Sequence, residues 1–279
     1  MNPKVALVND TSLYSRHFGC QIVGQVFREQ FKRVGLDLVI SLPKLFDLFS
    51  VRTILSQVDL VIINGEGSIH HGRNLHLLEL ANQFPSILVN CVYQENPTID
   101  AIRNFKYLTA RESLSAAEIT KTGAECSVVP DMIFGSSLVW SYHREAAKND
   151  IGVTDSVIKE YKGLRILKRK VSHDITAHDH TPGSIMNKLS SYQRICAGRF
   201  HAAIIATILD IPFSAWESNS WKIQGWMKDM GLSELCFGTR AEALSSIPLT
   251  PDPKMKTFAL SARTKVDESF DRVKQIAAG

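Results

Sequence analysis

Ile195-Cys-Ala-Gly198-Arg199-Phe-His201-Ala-Ala-Ile-Ile-Ala-Thr-Ile208 reads as the end of a buried strand, a glycine turn and an apolar helix. Gly198 permits a tight turn. The helix stops at Asp210-Ile-Pro212, because the residue before a proline avoids the helical region. Arg199 and His201 then sit at the mouth of a strand-loop-helix junction. In open α/β sheets that edge binds ligands, with the positive end of the helix dipole behind it. A planar bidentate cation beside a titratable imidazole suits an anionic substrate that must also receive a proton. The plainer alternative is a surface arginine and a satisfied histidine at a helix start.

The same alternation extends toward the N-terminus. Strands are expected at Lys4–Val8, Leu36–Ile40, Asp59–Ile63, Ser86–Asn90, Tyr107–Ala110 and Ser127–Val129. Between them, helical patterns cover about Cys20–Val34, Phe46–Gln57, Asn74–Asn82, Thr98–Phe105 and Ser113–Thr122. Alternating strands and helices imply parallel, doubly wound α/β sheets. The polar and aromatic stretch Ser137–Asn149 reads as a linker, and Ile151–Asp155 restarts the pattern. A strand is also expected within Gly163–Leu167, a helix at Ser184–Ser190, a strand at Phe213–Trp216 and a helix at Gln224–Met230. Pro248, Pro251 and Pro253 precede a final helix from about Thr257 to Ala277, with Ala259, Ala262, Val266, Phe270 and Val273 as its apolar stripe. The expected division is a Rossmann-like domain over 1–140, a second over 150–250 meeting it at a cleft, and a helix over 255–279 packing back on the first.

With 279 residues, 44% apolar and 22% charged, the chain has an ordinary soluble globular composition. A net charge of +4 fits small anionic substrates and is too weak and dispersed for nucleic acid. The most basic run, Lys168-Arg-Lys170, reads as a solvated loop. Cys20, Cys91, Cys126, Cys196 and Cys236 are widely spaced and lie mostly in apolar runs, as reduced core residues of a cytoplasmic protein would. No signal-peptide core and no membrane-span pattern are read.

Gly65-Glu66-Gly67-Ser68 follows an expected strand and precedes an expected helix. Its glycines let backbone N–H groups approach a phosphate or a sugar. It is neither the dinucleotide fingerprint, since position 70 is His70, nor a Walker loop. Glu66 repels phosphate and suits sugar hydroxyls better; His70 extends the site and His71 reads as a bystander. His173, His178 and His180, with Asp174 and Asp179, match no zinc spacing and read as a polar surface loop, so no metal is expected. Asn9, Asp10, Arg111 and Asp131 all fall on carboxyl ends of expected strands, although each alone would serve as a cap or an ion-pair partner.

Together these segments resemble the polysaccharide pyruvyl transferase family: Asn9 onward with Phe18-Gly19, Asp59 to Gly67, Ala110-Arg-Glu-Ser-Leu-Ser115, Val128-Val-Pro-Asp131, Gly198-Arg-Phe-His-Ala202, and Ile211-Pro212 with Lys222 downstream. The resemblance implies two Rossmann-like domains of GT-B-like type, the second shortened. It also implies transfer of a pyruvyl group from phosphoenolpyruvate to two sugar hydroxyls as a cyclic ketal. On that pattern His201 is the general acid, while Arg199, Arg111, Lys222, Gly65, Gly67 and Ser68 hold the donor. Asn9, Asp10, Glu66, His70, Asp131 and Glu217 orient the acceptor. Phosphoenolpyruvate is a substrate, so no cofactor is implied; the partners are a small-molecule donor and a sugar acceptor. A lipid-linked acceptor would bring the protein to a membrane surface as a peripheral enzyme.

Two features depart from the family pattern. The family often has three consecutive glycines where this chain has Gly65-Glu66-Gly67, and Tyr161–Thr181 is hard to match. Two alternatives stay open: a GT-B-like glycosyltransferase with a nucleotide-sugar donor, held at the helix start near Arg199, and a non-catalytic glycan-binding relative.

Overall fold

The computed structural model describes residues 1–158 and 175–279. The strand expected within Gly163–Leu167, the basic run at Lys168, and His173 and Asp174 lie outside the described residues. The chain divides into two compact units. Unit 1 comprises Met1–Ser15, Gly24–Gly135 and Ala262–Gly279; unit 2 comprises Arg16–Val23 and Ser136–Ser261.

Unit 1 holds a sheet of strands β1 (Lys4–Val8), β2 (Asp37–Leu42), β3 (Leu60–His70), β4 (Ser86–Gln94), β5 (Tyr107–Ala110) and β6 (Ser127–Val128). Their order is β2-β1-β3-β4-β5-β6, and every pairing is parallel. Covered parallel strands must be apolar on both faces. Val5 to Val8, Leu60 to Ile63 and Ile87 to Val89 are accordingly all buried. The Phe18–Val34 helix carries Lys32 and Arg33 in its last turn, which suits the negative end of its dipole. Gly35 ends it at φ 72°, a left-handed position that glycine takes without a Cβ penalty, and Leu36 N–H donates back to Phe31 O at 2.9 Å. Within unit 1, Phe270 of the Pro253–Ala277 helix packs at 5.8 Å, ring to ring, on both Phe27 and Phe31.

Two sequence expectations in unit 1 are corrected. The Gly65-Glu66-Gly67-Ser68 segment is part of β3, which runs on to His70; it is not a strand-to-helix loop. Its backbone keeps pairing with β4 across a register shift between Glu66 and Ile69, so the parallel ladder carries the glycines. The segment Leu75–Asn82 that follows is a 3₁₀-helix, not an α-helix.

Unit 2 holds β7 (Asn149–Val153), β8 (Tyr192–Ala197), β9 (Phe213–Trp216) and β10 (Cys236–Phe237), in the parallel order β10-β9-β8-β7. The stretch read as a linker from Ser137 begins with a short helix, Ser137–Trp140, capped by Ser136 Oγ. The Phe200–Ile208 helix is buried on nearly every residue, as its uniformly apolar sequence requires. No helix among the described residues is long and apolar enough to cross a membrane.

Candidate active site

In unit 1, three neighbouring strands deliver asparagines to the carboxyl edge. Asn64 Nδ2 donates to Asn9 O at 3.2 Å, Asn9 Nδ2 donates to Asn64 O at 2.5 Å, and Asn90 Nδ2 donates to Asn64 Oδ1 at 3.0 Å. Asn90 Oδ1 in turn accepts from Met132 N–H. Asn9 and Asn90 adopt left-handed φ values of 58° and 57°, which asparagine tolerates through its local hydrogen bonding. Tyr14 Oη donates to Asn9 Oδ1 at 2.8 Å, and Asn9 Nδ2 reaches Ser68 Oγ at 3.4 Å.

The charged groups of this edge are paired. Arg111 and Asp131, both fully buried, meet at 2.7 Å, and Asp131 Oδ1 also accepts from Ile133 N–H. Glu112 caps the Ser113–Lys121 helix through the N–H groups of Leu114 and Ser115. Asp10 caps the Thr11–Leu13 turn and accepts Arg28 at 2.6 Å. Glu66 is buried, receives Asn64 Nδ2 at 3.4 Å, and sits at φ 35°. His70 is buried, whereas its neighbour His71 is exposed and pairs with Glu95 at 2.9 Å.

The two loop glycines differ, and neither has a positive φ. A Cβ on Gly65 would come within 2.7 Å of Cys91 Cα, a contact with main chain that cannot yield easily. A Cβ on Gly67 would meet only Arg111 Nη2 at 3.4 Å.

In unit 2, Arg199 is the N-cap residue of the Phe200–Ile208 helix and His201 is its second residue. Both are buried. Arg199 grips Asp155 with its Nε/Nη2 fork, at 2.8 and 2.5 Å. The same loop is tied down where Gly198 N–H donates to Thr154 Oγ1 at 2.7 Å. Gly198 is needed for space: a Cβ would lie 2.0 Å from the Trp216 ring. Lys222 Nζ donates to Asn219 Oδ1 at 2.6 Å and Ser220 Oγ at 3.2 Å. Glu217 is exposed.

Two histidines that sequence reading left aside complete this cluster. The ring of His17 meets His201 edge-on at 5.4 Å and His178 at 5.6 Å. His17 O accepts from Gln21 N–H and its Nδ1 from Gly19 N–H, so His17 caps the helix that begins at Phe18. Burial, then His201, Arg199, His178 and Lys222, hold the His17 imidazole well below its usual range. His201 rests directly on the backbone of Gly19, where a Cβ would come within 1.8 Å of its Nδ1. His178 is exposed on a loop, as the sequence reading expects, and its ring still meets that of His17. A sequence signal did exist: His17-Phe-Gly19 adjoins a quoted family segment. In unit 1 the signal was the ending of three apolar runs in asparagine, at Asn9, Asn64 and Asn90.

All five cysteines are free thiols, with Cys91 and Cys196 buried and Cys20, Cys126 and Cys236 partly so. Burial pushes Cys126 up to about 12, and Cys196 and Cys236 up to about 11, which makes them poor nucleophiles.

Solved structures with the same architecture define the class. A functionally uncharacterized protein of Klebsiella pneumoniae is 15% identical at a TM-score of 0.61, covering 85% of this chain and 93% of its own. An O-GlcNAc transferase of Thermobaculum terrenum is 9% identical at 0.57, covering 99% of this chain and 68% of its own. The UDP-GlcNAc 2-epimerase of Methanocaldococcus jannaschii is 11% identical at 0.52, covering 95% of this chain and 99% of its own. No curated protein matches the chain. The fold is α/β, with parallel Rossmann-like sheets of the GT-B-like class. The family model for polysaccharide pyruvyl transferase matches residues 3–215, and the chain belongs to that family.

Proposed function

We propose that this protein transfers a pyruvyl group from phosphoenolpyruvate to two hydroxyls of a glycan, releasing phosphate and forming a cyclic ketal. The observation that carries this reading is the placement of buried His201 next to the N-cap Arg199 at the start of the Phe200–Ile208 helix, in a chain of this family. His201, as imidazolium, gives a proton to the methylene carbon, and positive charge develops at the carbon bearing the phosphate ester. One sugar hydroxyl adds there, the C–O bond to phosphate breaks with its electron pair, and the second hydroxyl closes the ketal. Of the two hydroxyl protons, one restores His201 and the other leaves with phosphate.

Arg199 uses its Nε/Nη2 fork on Asp155, so its role toward the donor falls to Nη1 as a single charge-assisted donor, with Lys222 as a second cation. In unit 1, Ser68, with Gly65 and Gly67, keeps its donor-side role, and Glu66, Asn9 and His70 keep the acceptor-side roles. Arg111, Asp131 and Asp10 are framework groups in this reading, because each is held by a partner within unit 1. The protein needs no cofactor and acts in the cytoplasm, on a free or lipid-linked glycan. The exposure of Glu217 leaves it a marginal acceptor contact.

Phosphate release from phosphoenolpyruvate with a mixed glycan panel tests the reading. His201→Ala is expected to cut turnover by about a hundredfold while leaving donor affinity nearly intact, as loss of a general acid does. Parent-rate turnover in that variant would remove His201 from the role. Thermal stabilisation by a nucleotide-sugar, with none by phosphoenolpyruvate, would replace the donor.

A further inference from the structure

Asp155 lies two residues beyond β7 and 44 residues from Arg199 along the chain. Its carboxylate joins two loops of unit 2. Oδ1 accepts from Arg199 Nε at 2.8 Å and Oδ2 from Arg199 Nη2 at 2.5 Å, while Oδ1 also accepts from Ala177 N–H at 3.2 Å. The main chain repeats the tie, since Asp155 N–H donates to Ile175 O at 2.9 Å and Ile175 N–H to Val153 O at 3.2 Å. On the other side, Thr154 Oγ1 accepts from Gly198 N–H. The loop before the Phe200–Ile208 helix is thus clamped at Gly198 and again at Arg199. Both members of the ion pair are mostly withdrawn from solvent, with side chains 8% and 16% exposed. A two-point, charge-assisted grip in such surroundings fixes the plane of the guanidinium as well as its place.

We infer that Asp155 is a positioning residue for the donor anion, which in the pyruvyl-transfer reading it rests on is phosphoenolpyruvate. It touches no reacting atom. It holds Arg199 in the rotamer whose Nη1 side meets the anion, so little side-chain ordering is left for binding. The charge of Asp155 works the other way, because a carboxylate beside the cation weakens its pull on an anion. Position and charge therefore predict opposite signs. Where positioning dominates, removing the carboxylate weakens donor binding; where neutralisation dominates, it strengthens donor binding.

Asp155→Ala removes both oxygens, and Asp155→Asn removes the charge but keeps one acceptor for the fork. Calorimetry should find phosphoenolpyruvate bound about tenfold more weakly by Asp155→Ala, the cost of ordering one long side chain at binding, and weakened by a smaller factor in Asp155→Asn. In turnover the loss should fall on KM for the donor, with kcat nearly kept, because His201 still delivers the proton. A merely structural role would lower kcat with the fraction of folded enzyme and leave KM alone. In the wild type, the Arg199 Nε–H resonance should stay protected from exchange when phosphoenolpyruvate is added. Equal or tighter donor binding by the variants, a loss in kcat alone, or an Nε–H freed by the donor would each overturn the inference. The wild-type resonance decides the matter if neither variant folds. A parallel assay of phosphate release separates the two claims. Donor binding weakened in the variants, without turnover by the wild type, would sink the reaction and keep the role of Asp155. Turnover at the same KM in all three proteins would do the reverse, and a wild type that binds no phosphoenolpyruvate would sink both.

Discussion

The carboxyl edge of the six-stranded sheet and the strand-to-helix junction of the four-stranded one use the same parts to opposite ends. In unit 1 two ion pairs are closed, Arg111 with Asp131 and Arg28 with Asp10, and asparagines from three strands bond to one another. In unit 2, Arg199 grips Asp155, while the ring of His17 meets those of His201 and His178. Closed pairs such as these fix backbone positions at the edge. The unit 2 junction instead brings titratable imidazoles together, with His17 edge-on to both His201 and His178. The comparison teaches that position on a sheet edge does not by itself mark a binding residue; what decides is whether the group is already satisfied.

The closed network should be the more costly to break. Asp131→Ala leaves the Arg111 guanidinium buried without its carboxylate, and removing one partner of a buried pair costs about 3–5 kcal/mol. Denaturant unfolding measures this loss. Arg111→Met in the Asp131→Ala background should recover part of the stability, since an apolar pair of similar volume needs no counter-ion. A loss below 1 kcal/mol for Asp131→Ala would show that the edge is not held by this pair.

The glycines of β3 sharpen the same contrast within one unit. Gly65→Ala forces a methyl against the Cys91 main chain and should cost about 1–3 kcal/mol, the range for overpacking a core. Gly67→Ala meets only the end of the Arg111 side chain at 3.4 Å and should cost well under half of that. Equal melting temperatures for the two variants would remove the distinction.

Apolar runs made the fold legible. Lys4–Val8 and Ser86–Asn90 are buried parallel strands because nothing polar interrupts them, and the period alone announces that. The continuation of β3 through Gly65 and Gly67 was not legible. Glycines in a parallel ladder look like a turn until the neighbouring strand is known, and here Cys91 of β4 is what requires Gly65. The site was legible at Arg199 and His201, which lie on a local strand-helix pattern. Asp155 and His17 were not, since one is 44 residues away from Arg199 along the chain and the other meets His201 only through the tertiary fold. Arg111 and Asp131 were found at the right edge, but position could not tell that they satisfy each other.

The smallest effect expected is on pH dependence, and it belongs to unit 2. His17 is held below its usual range by burial and by His201, Arg199, His178 and Lys222; His180 is lowered by burial and by Lys188, with Asp179 opposing. For a histidine lowered in the folded state, the unfolded chain binds the proton first. Stability is therefore full above the unfolded value of about 6.5 and declines as pH falls through it toward the folded value. Melting temperature in a weakly binding buffer should thus drop between about pH 7 and pH 5. His17→Asn should flatten part of that drop while melting near the wild type at pH 7, since the cap is kept. Hydrogen exchange should place the acid-sensitive amides in unit 2, with those of the unit 1 sheet unchanged. A drop of the same size in wild type and His17→Asn would mean that other groups carry the acid sensitivity.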